Sequence, residues 1–266
     1  MSGSGWFRAL LALCLAVVLT FLTLPVVAIF VDSSPADLID SLGEEGALDA
    51  LWLSLKCTAA AMAIILVVGT PAAYLLATRS FRGKAAVVTL IELPLVLPPA
   101  VAGIALLAAV GSGGILGGAV EAAGIELSFA TAGVVVALTF VASPFYIRQA
   151  VASFAAVDRS LVDASRTLGA SEARGLLRVM IPVALPGLAA GTALALGRAL
   201  GEFGATLMFA GSFQGITQTV PLAIYDRFST DFESALALSA VLVAVSGAIL
   251  LSVKAIADRP GQYQPW

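Results

Sequence analysis

Few side chains in this sequence can do chemistry, and most of those sit as isolated charges inside long apolar runs. Arg198 and Glu202 are four residues apart, which puts them on one face of a helix, and Glu92 precedes a proline cluster at Pro94, Pro98 and Pro99. A charge in hydrocarbon is costly, so each of these groups must be paired or face water. Arg198 with Glu202 reads either as an ion pair that fixes helix packing or as a group that passes an anion, and both readings are open. Glu92, a carboxylate in an apolar run, is likewise expected to partner a base. Pro98 marks a break that either kinks a packing helix or lines a cavity. The rest of the inventory is exclusion. With no His and only Cys14 and Cys57, there is no ligand set for zinc, haem or an iron–sulfur cluster, and no cofactor is expected. The apolar runs hold no nucleophile–base pair, so covalent catalysis is not expected. The glycine cluster at 111–118 lacks the Lys and Ser/Thr that hold phosphates in a nucleotide loop, and it reads as a turn.

Membrane spans must position these charges. The 266 residues are 60% hydrophobic and 12% charged, with mean hydropathy +1.02, against about 45–50% and about 25% in soluble domains. Fourteen basic and seventeen acidic residues cannot cover a soluble surface of this size. A net charge of -3 without a basic tract excludes nucleic acid as a partner. Runs of about 20 residues nearly free of charge occur near 9–30, 57–77, 85–110, 127–147, 186–208 and 234–253. They predict an all-α, polytopic membrane protein with six transmembrane helices, one domain over 1–266. The first run is too long for a cleaved leader and is expected to stay as a helix. The segment 203–225 is uncharged, but its glycines, Gln214, Gln218 and Pro221 make it the end of the fifth span followed by an outer or partly re-entrant loop. Connecting loops alternate in sign: acids at 32–49, bases at Arg79, Arg82 and Lys84, acids at Glu121 and Glu126, then five arginines from Arg148 to Arg178. The basic loops are cytoplasmic by the positive-inside rule, and with Arg8, Lys254 and Arg259 both termini are expected inside.

The last of these loops reads as structured. Ser160 is placed to cap a helix with Asp163 three residues on, while Leu161, Ala164, Ser165 and Leu168 share a face and Gly169, followed by Ala170, stops it. Ser171 then caps a second short helix that Pro182 is expected to end. Two amphipathic helices joined at a glycine suit a groove on another protein, or a membrane surface. The run Asp163-Ala164-Ser165, three residues, Gly169, nine residues, then Val179-Met180-Ile181-Pro182 resembles the EAA loop of ABC importer permeases, whose pattern is Glu-Ala-Ala, three residues, Gly, nine residues, Ile, one residue, Leu-Pro. Spacing agrees at every step, and the departures are conservative in size or charge. The resemblance implies a type I ABC importer permease, with residues 154–182 as a coupling loop that docks on a cytoplasmic ATPase. It assigns that docking to Ser160, Leu161, Asp163, Ala164, Ser165, Leu168, Gly169, Ala170 and Pro182.

Further along, Gly197-Arg198-Ala199-Leu200-Gly201-Glu202-Phe203-Gly204-Ala205 and Gln218-Thr219-Val220-Pro221 are similar to molybdate-type permeases, as is Glu92-Leu93-Pro94-Leu95-Val96-Leu97-Pro98-Pro99. What the resemblance implies is an oxyanion importer of a prokaryotic inner membrane, most often for molybdate, with tungstate or sulfate and thiosulfate as alternatives. Its partners would be two copies of an ATP-binding subunit, a second permease copy and an extracytoplasmic oxyanion-binding protein. With Arg198 almost the only base within the spans, tight anion binding is not expected here. Gly187, Gly191 and Gly197 are spaced for close helix approach. A carrier driven by an ion gradient, using Glu92, Arg198 and Glu202 as a relay, is the rival from another class.

Overall fold

Backbone polar groups in hydrocarbon can be satisfied within one segment only by a helix. Accordingly the structure, a computed structural model, contains helices and no strand among the residues it describes, 3–32, 35–44 and 46–257. Arg259 therefore lies outside the described residues. In chain order the helices are α1 (Gly3–Val31), α2 (Pro35–Gly43), α3 (Ala47–Thr78), α4 (Lys84–Val96), α5 (Pro99–Val110), α6 (Gly117–Ala122) and α7 (Thr131–Ala155). They continue as α8 (Arg159–Thr167), α9 (Glu172–Gly175), a π-helical turn (Leu176–Met180), α10 (Ile181–Leu200), α11 (Gly204–Ala210), α12 (Val220–Phe228) and α13 (Phe232–Ala257).

Among the described residues, five stretches are long and apolar enough to cross a membrane: Gly5–Val31, Ala47–Thr78, Thr131–Ala155, Glu172–Leu200 and Phe232–Val253. The expected span over 85–110 is not one helix. α4 and α5 meet at a turn of 120° and make a sixth crossing only when taken together. Leu97 (ψ 131°) and Pro98 (ψ 138°) are both extended, because each precedes a proline whose ring pushes it out of the helical region. Pro94, one turn earlier, is carried inside α4. The fifth span also ends sooner than expected, at Leu200, and α11 resumes after a break at 201–203.

Packing follows residue size. α3, α7 and α10 form the main core, where Ala61, Ala142, Ala150 and Ala195 have no exposed surface and Tyr146 fills the space between helices. Small residues let backbones approach where no hydrophobic drive exists between lipid-bathed helices. A methyl on Gly191 would stand 3.0 Å from Gln149 Cβ, and one on Gly187 would collide with Ser153. Gly197, expected at such a contact, has nothing within 4 Å. A second cluster joins α5, α7 and α11 through Ala102, Leu106, Ala137, Val141, Ala205 and Phe209. A third joins α3, α12 and α13 through Ala47, Ala50, Val220, Ala223 and Leu238, and is braced by Arg227–Glu44 at 2.9 Å. α1 buries none of its described side chains and leaves all but the half-buried Ile29 exposed, with large apolar side chains such as Leu13, Phe21 and Leu24 outermost, as a bilayer permits and water does not.

The α5–α11 crossing depends on Gly103, where an added Cβ would lie 2.6 Å from both the Ala205 carbonyl oxygen and Met208 Cβ. Gly103→Leu is expected to destabilise the detergent-solubilised protein by about 1–3 kcal/mol through overpacking, whereas Gly197→Ala is tolerated or stabilising by up to about 1 kcal/mol. Thermal unfolding of the two variants checks this, and equal losses would contradict the packing described.

Candidate functional site

The helix pair between α7 and α10 is held by local bonds. Asp158, not Ser160, caps α8: its carboxylate accepts the Ser160 backbone N–H at 2.9 Å, which holds the Asp158 carboxyl below its ordinary value. Aspartate outcompetes serine here because its ionised oxygen accepts the charge-assisted bond and faces the positive helix end. At the other end Gly169 adopts φ +80°. The Gly169 N–H donates to Arg166 O at 2.9 Å and the Ala170 N–H to Ser165 O at 3.0 Å, the paired bonds of a Schellman closure. Ser171 caps α9 through the Arg174 N–H at 3.4 Å.

Pro182 does not end this second helix. The chain runs on as helix from Glu172 to Leu200, and the strain of a proline is taken up by the π turn just before it, in which the Ile181 N–H donates to Leu176 O. One extra residue in that turn relieves the clash of the proline ring with the preceding carbonyl. α9 is therefore the leading end of the α10 span.

On the inner face of α8, Val162 is half-buried against the main core and Ser165 Oγ donates to Val162 O at 2.7 Å. On the outer face Leu161 is 42% and Leu168 88% exposed, and Asp163, Ala164 and Ser160 are exposed beside them. The Arg166–Asp163 contact of 3.7 Å is exposed and worth little. An anchor invisible in the sequence holds the pair to the bundle. Arg79 grips both oxygens of Glu172 at 2.7 and 2.9 Å, and Tyr74 Oη donates to the same carboxylate at 3.0 Å. Glu172 and Arg79 are 93 positions apart, so no spacing rule links them; the only signal was that both fall in loops assigned to the same side.

Within the spans, two separate ion pairs form, and Glu92 and Arg198 are not brought together. Glu92 on α4 lies 3.6 Å from Arg148 on α7, with side-chain exposures of 39% and 70%. A base was expected opposite Glu92, and Arg148 is that base. Arg198 reaches Glu202 across the break after α10 at 2.5 Å. Glu202 is 1% exposed, and its Oε1 accepts the Ala205 N–H at 2.6 Å, so one carboxylate answers a guanidinium and the first turn of α11. The break after α10 lies against the break before α5: a methyl on Gly204 would sit 2.8 Å from Pro99 Cβ. Pro98 stands at the turn itself, as the residue preceding α5.

A family model described as binding-protein-dependent transport system inner membrane component matches residues 69–259. The chain belongs to that family. Among its relatives, the molybdenum transport system permease protein ModB of Mycobacterium bovis is 47% identical over 208 residues, 77% of this chain and 78% of that protein. A probable molybdenum ABC transporter permease protein of Haloferax volcanii is 37% identical over 255 residues, 96% of this chain and 92% of that one. In fold, the chain is similar to a bacterial alginate ABC transporter crystallised with an alginate pentasaccharide-bound periplasmic protein, at TM-score 0.75 and 15% identity, with 96% of this chain and 94% of that chain covered. This is an inner-membrane transport component with several apolar spans, and the six-span, all-α architecture of a type I importer permease holds once the α4–α5 pair is counted as one broken crossing.

The buried pair generates a test. Arg198→Ala leaves Glu202 without its guanidinium, which is expected to cost about 3–5 kcal/mol. Replacing both, as Arg198→Met with Glu202→Gln, keeps an acceptor for the Ala205 N–H and is expected to recover most of that loss. Thermal stability of the single and double variants measures it; a double variant no better than Arg198→Ala would refute the pairing.

Proposed function

We propose that this chain is the permease subunit of an ATP-driven importer that passes an oxyanion, molybdate above tungstate or sulfate, by alternating access. The observation that carries the coupling part is the glycine-closed α8–α9 pair, which presents Leu161 and Leu168 outward while α9 continues directly into a membrane span. An apolar ridge of this kind fits a groove on a partner protein. A partner that moves α8 acts on α10 through α9 and on α3 through the Arg79–Glu172 bond. In this reading residues 154–182 form the coupling loop of a single permease domain spanning 1–266. Leu161, Asp163, Ala164, Leu168, Gly169 and Ala170 meet an ATPase subunit. Ser160 supplies the capped first turn, Ser165 the inner contact and Pro182 the join to the span. ATP hydrolysis belongs to that partner. One coupling loop per chain matches two copies of the permease to two ATPases, with both termini on the ATPase side.

The cargo assignment rests on the relatives named as molybdenum permeases. The charges favour a weak path: within the spans Arg148 and Arg198 each face a carboxylate, and tight oxyanion binding needs several converging donors. Selection then falls to an extracytoplasmic binding protein. We read Arg198–Glu202 as a brace, because Glu202 is buried and capping α11, and we place the path along the adjoining breaks at Pro98 and 201–203, since irregular backbone at membrane depth lines a cavity or packs on protein. Glu92 and Glu202 are both ion-paired, which removes the relay that a gradient-driven carrier would use.

Vesicles reconstituted with the permease, its ATPase and its binding protein should take up molybdate with ATP, and molybdate uptake should be competed by tungstate more than by sulfate. Gly169→Val forces a branched side chain into φ +80°, at about 1–2 kcal/mol of local strain. It should uncouple ATPase activity from the binding protein while leaving the spans folded. Uptake that survives ATP depletion but collapses with the proton gradient would overturn the assignment.

A further inference from the structure

At the α8 end of the bundle, a cavity of about 580 Å³ opens between the last turn of α3, the start of α4, the end of α7 and α8. That size suits an organic molecule better than a bare ion. Arg79, Lys84, Arg159 and Arg166 line it against the single lining carboxylate Asp163. Even when Glu172, bonded to Arg79, is counted, four bases face two acids and leave an excess of two positive charges. Arg79 is occupied by Glu172, and Arg166 lies 3.7 Å from Asp163. Lys84 donates only to the backbone oxygen of Arg79 at 3.1 Å. Neither Lys84 nor Arg159 has a carboxylate partner among the described residues.

A second feature adjoins the first. Three of those four helices, α3, α4 and α7, form an apolar groove along Leu76, Val88, Ile91, Ile147 and Val151, reaching the Glu92–Arg148 pair. At 1.5 Å per residue, Val88 and Ile91 lie about 6 and about 10 Å along α4 from Lys84. α4 buries none of its side chains, so this groove is open beside it. A basic chamber at a helix-end boundary followed by an apolar track toward the hydrocarbon has the polarity sequence of one molecule type, an anionic phospholipid.

We propose that the chamber and groove bind one anionic phospholipid, its phosphodiester held by Lys84 and Arg159 and one acyl chain laid along the groove between α4 and α7. The lipid wedges between α4 and the inner face of α8, and so ties the stance of the helix pair to the leaflet beside it. The inference does not depend on which cargo is carried. A soluble oxyanion would use the chamber but leave the groove without an occupant.

The test is native mass spectrometry of the full permease–ATPase complex extracted in mild detergent and offered phosphatidylglycerol or phosphatidylcholine. Phosphatidylglycerol should be retained in preference. Each base near the surface attracts an anionic headgroup by about a factor of five, so the double variant Lys84→Gln with Arg159→Gln should lower retention roughly twenty-five-fold. Val88→Trp, which leaves every charge in place and fills the groove, should also lower it. Equal retention of the two lipids, or undiminished phosphatidylglycerol in both variants, would overturn the proposal. So would saturable binding of inorganic phosphate or molybdate by complex that retains no phosphatidylglycerol, since the chamber would then serve a soluble anion.

Discussion

A helix in hydrocarbon can be interrupted only where the backbone groups it frees find another partner, and this protein interrupts two. The breaks at 97–98 and 201–203 lie against each other, and Glu202 is the residue that makes the second tolerable. Its carboxylate takes the Ala205 N–H that would otherwise be unsatisfied at the start of α11, while Arg198 neutralises it from the last turn of α10. Neither bond suffices alone. An unpaired carboxylate at 1% exposure would be prohibitive, and an uncapped turn would leave donors in an apolar setting. The pair converts two deviations from regular structure into a fixed crossing of short helices, packed through Gly103 and Ala205 at backbone distance.

The end of the bundle that holds these breaks is thus built from pieces, and the other end from continuity. From Glu172 the chain is helical without interruption to Leu200, so displacement of α9 has no hinge in which to dissipate except the π turn. That turn is wider than an α turn and lies beside Pro182, where the regular bonding ladder is already missing a donor. Glu172 meanwhile grips Arg79 and Tyr74 at the end of α3. Two of the three core helices are therefore addressed from one short helix, and the third, α7, packs between them through alanines and Tyr146.

Much of this organisation was legible in the sequence, because the signals that carried it are local. Charge-free runs set the spans, and Gly169 in a run that otherwise reads as helix set the closure of α8. The requirement that Glu92 be neutralised was equally plain, although its partner Arg148 was not nameable from position. The misses have distinct physical origins. Asp158 and Ser160 are both good caps, and geometry chose the ionised one. Pro182 ordinarily stops a helix, but a π turn two to six residues upstream accommodates it. Three prolines between 94 and 99 left a kinked packing helix and a cavity-lining break both open, and two consecutive extended residues turn the axis there through 120°. The Arg79–Glu172 anchor is a contact made by the tertiary fold, and no periodicity encodes it.

The scarcity of charge within the spans carries its own argument about selectivity. A site that held an oxyanion tightly at membrane depth would need several donors converging on it, and would then release its cargo slowly. Here Arg198 is committed to Glu202, and Arg148 lies 3.6 Å from Glu92, so each of these bases already faces a carboxylate of the chain. The broken crossings approach most closely at Gly103, Gly204 and Ala205, with Leu106 and Phe209 packed beside them. Discrimination among anions and the work of moving them are then separable tasks, and a chain of this composition is suited to the second.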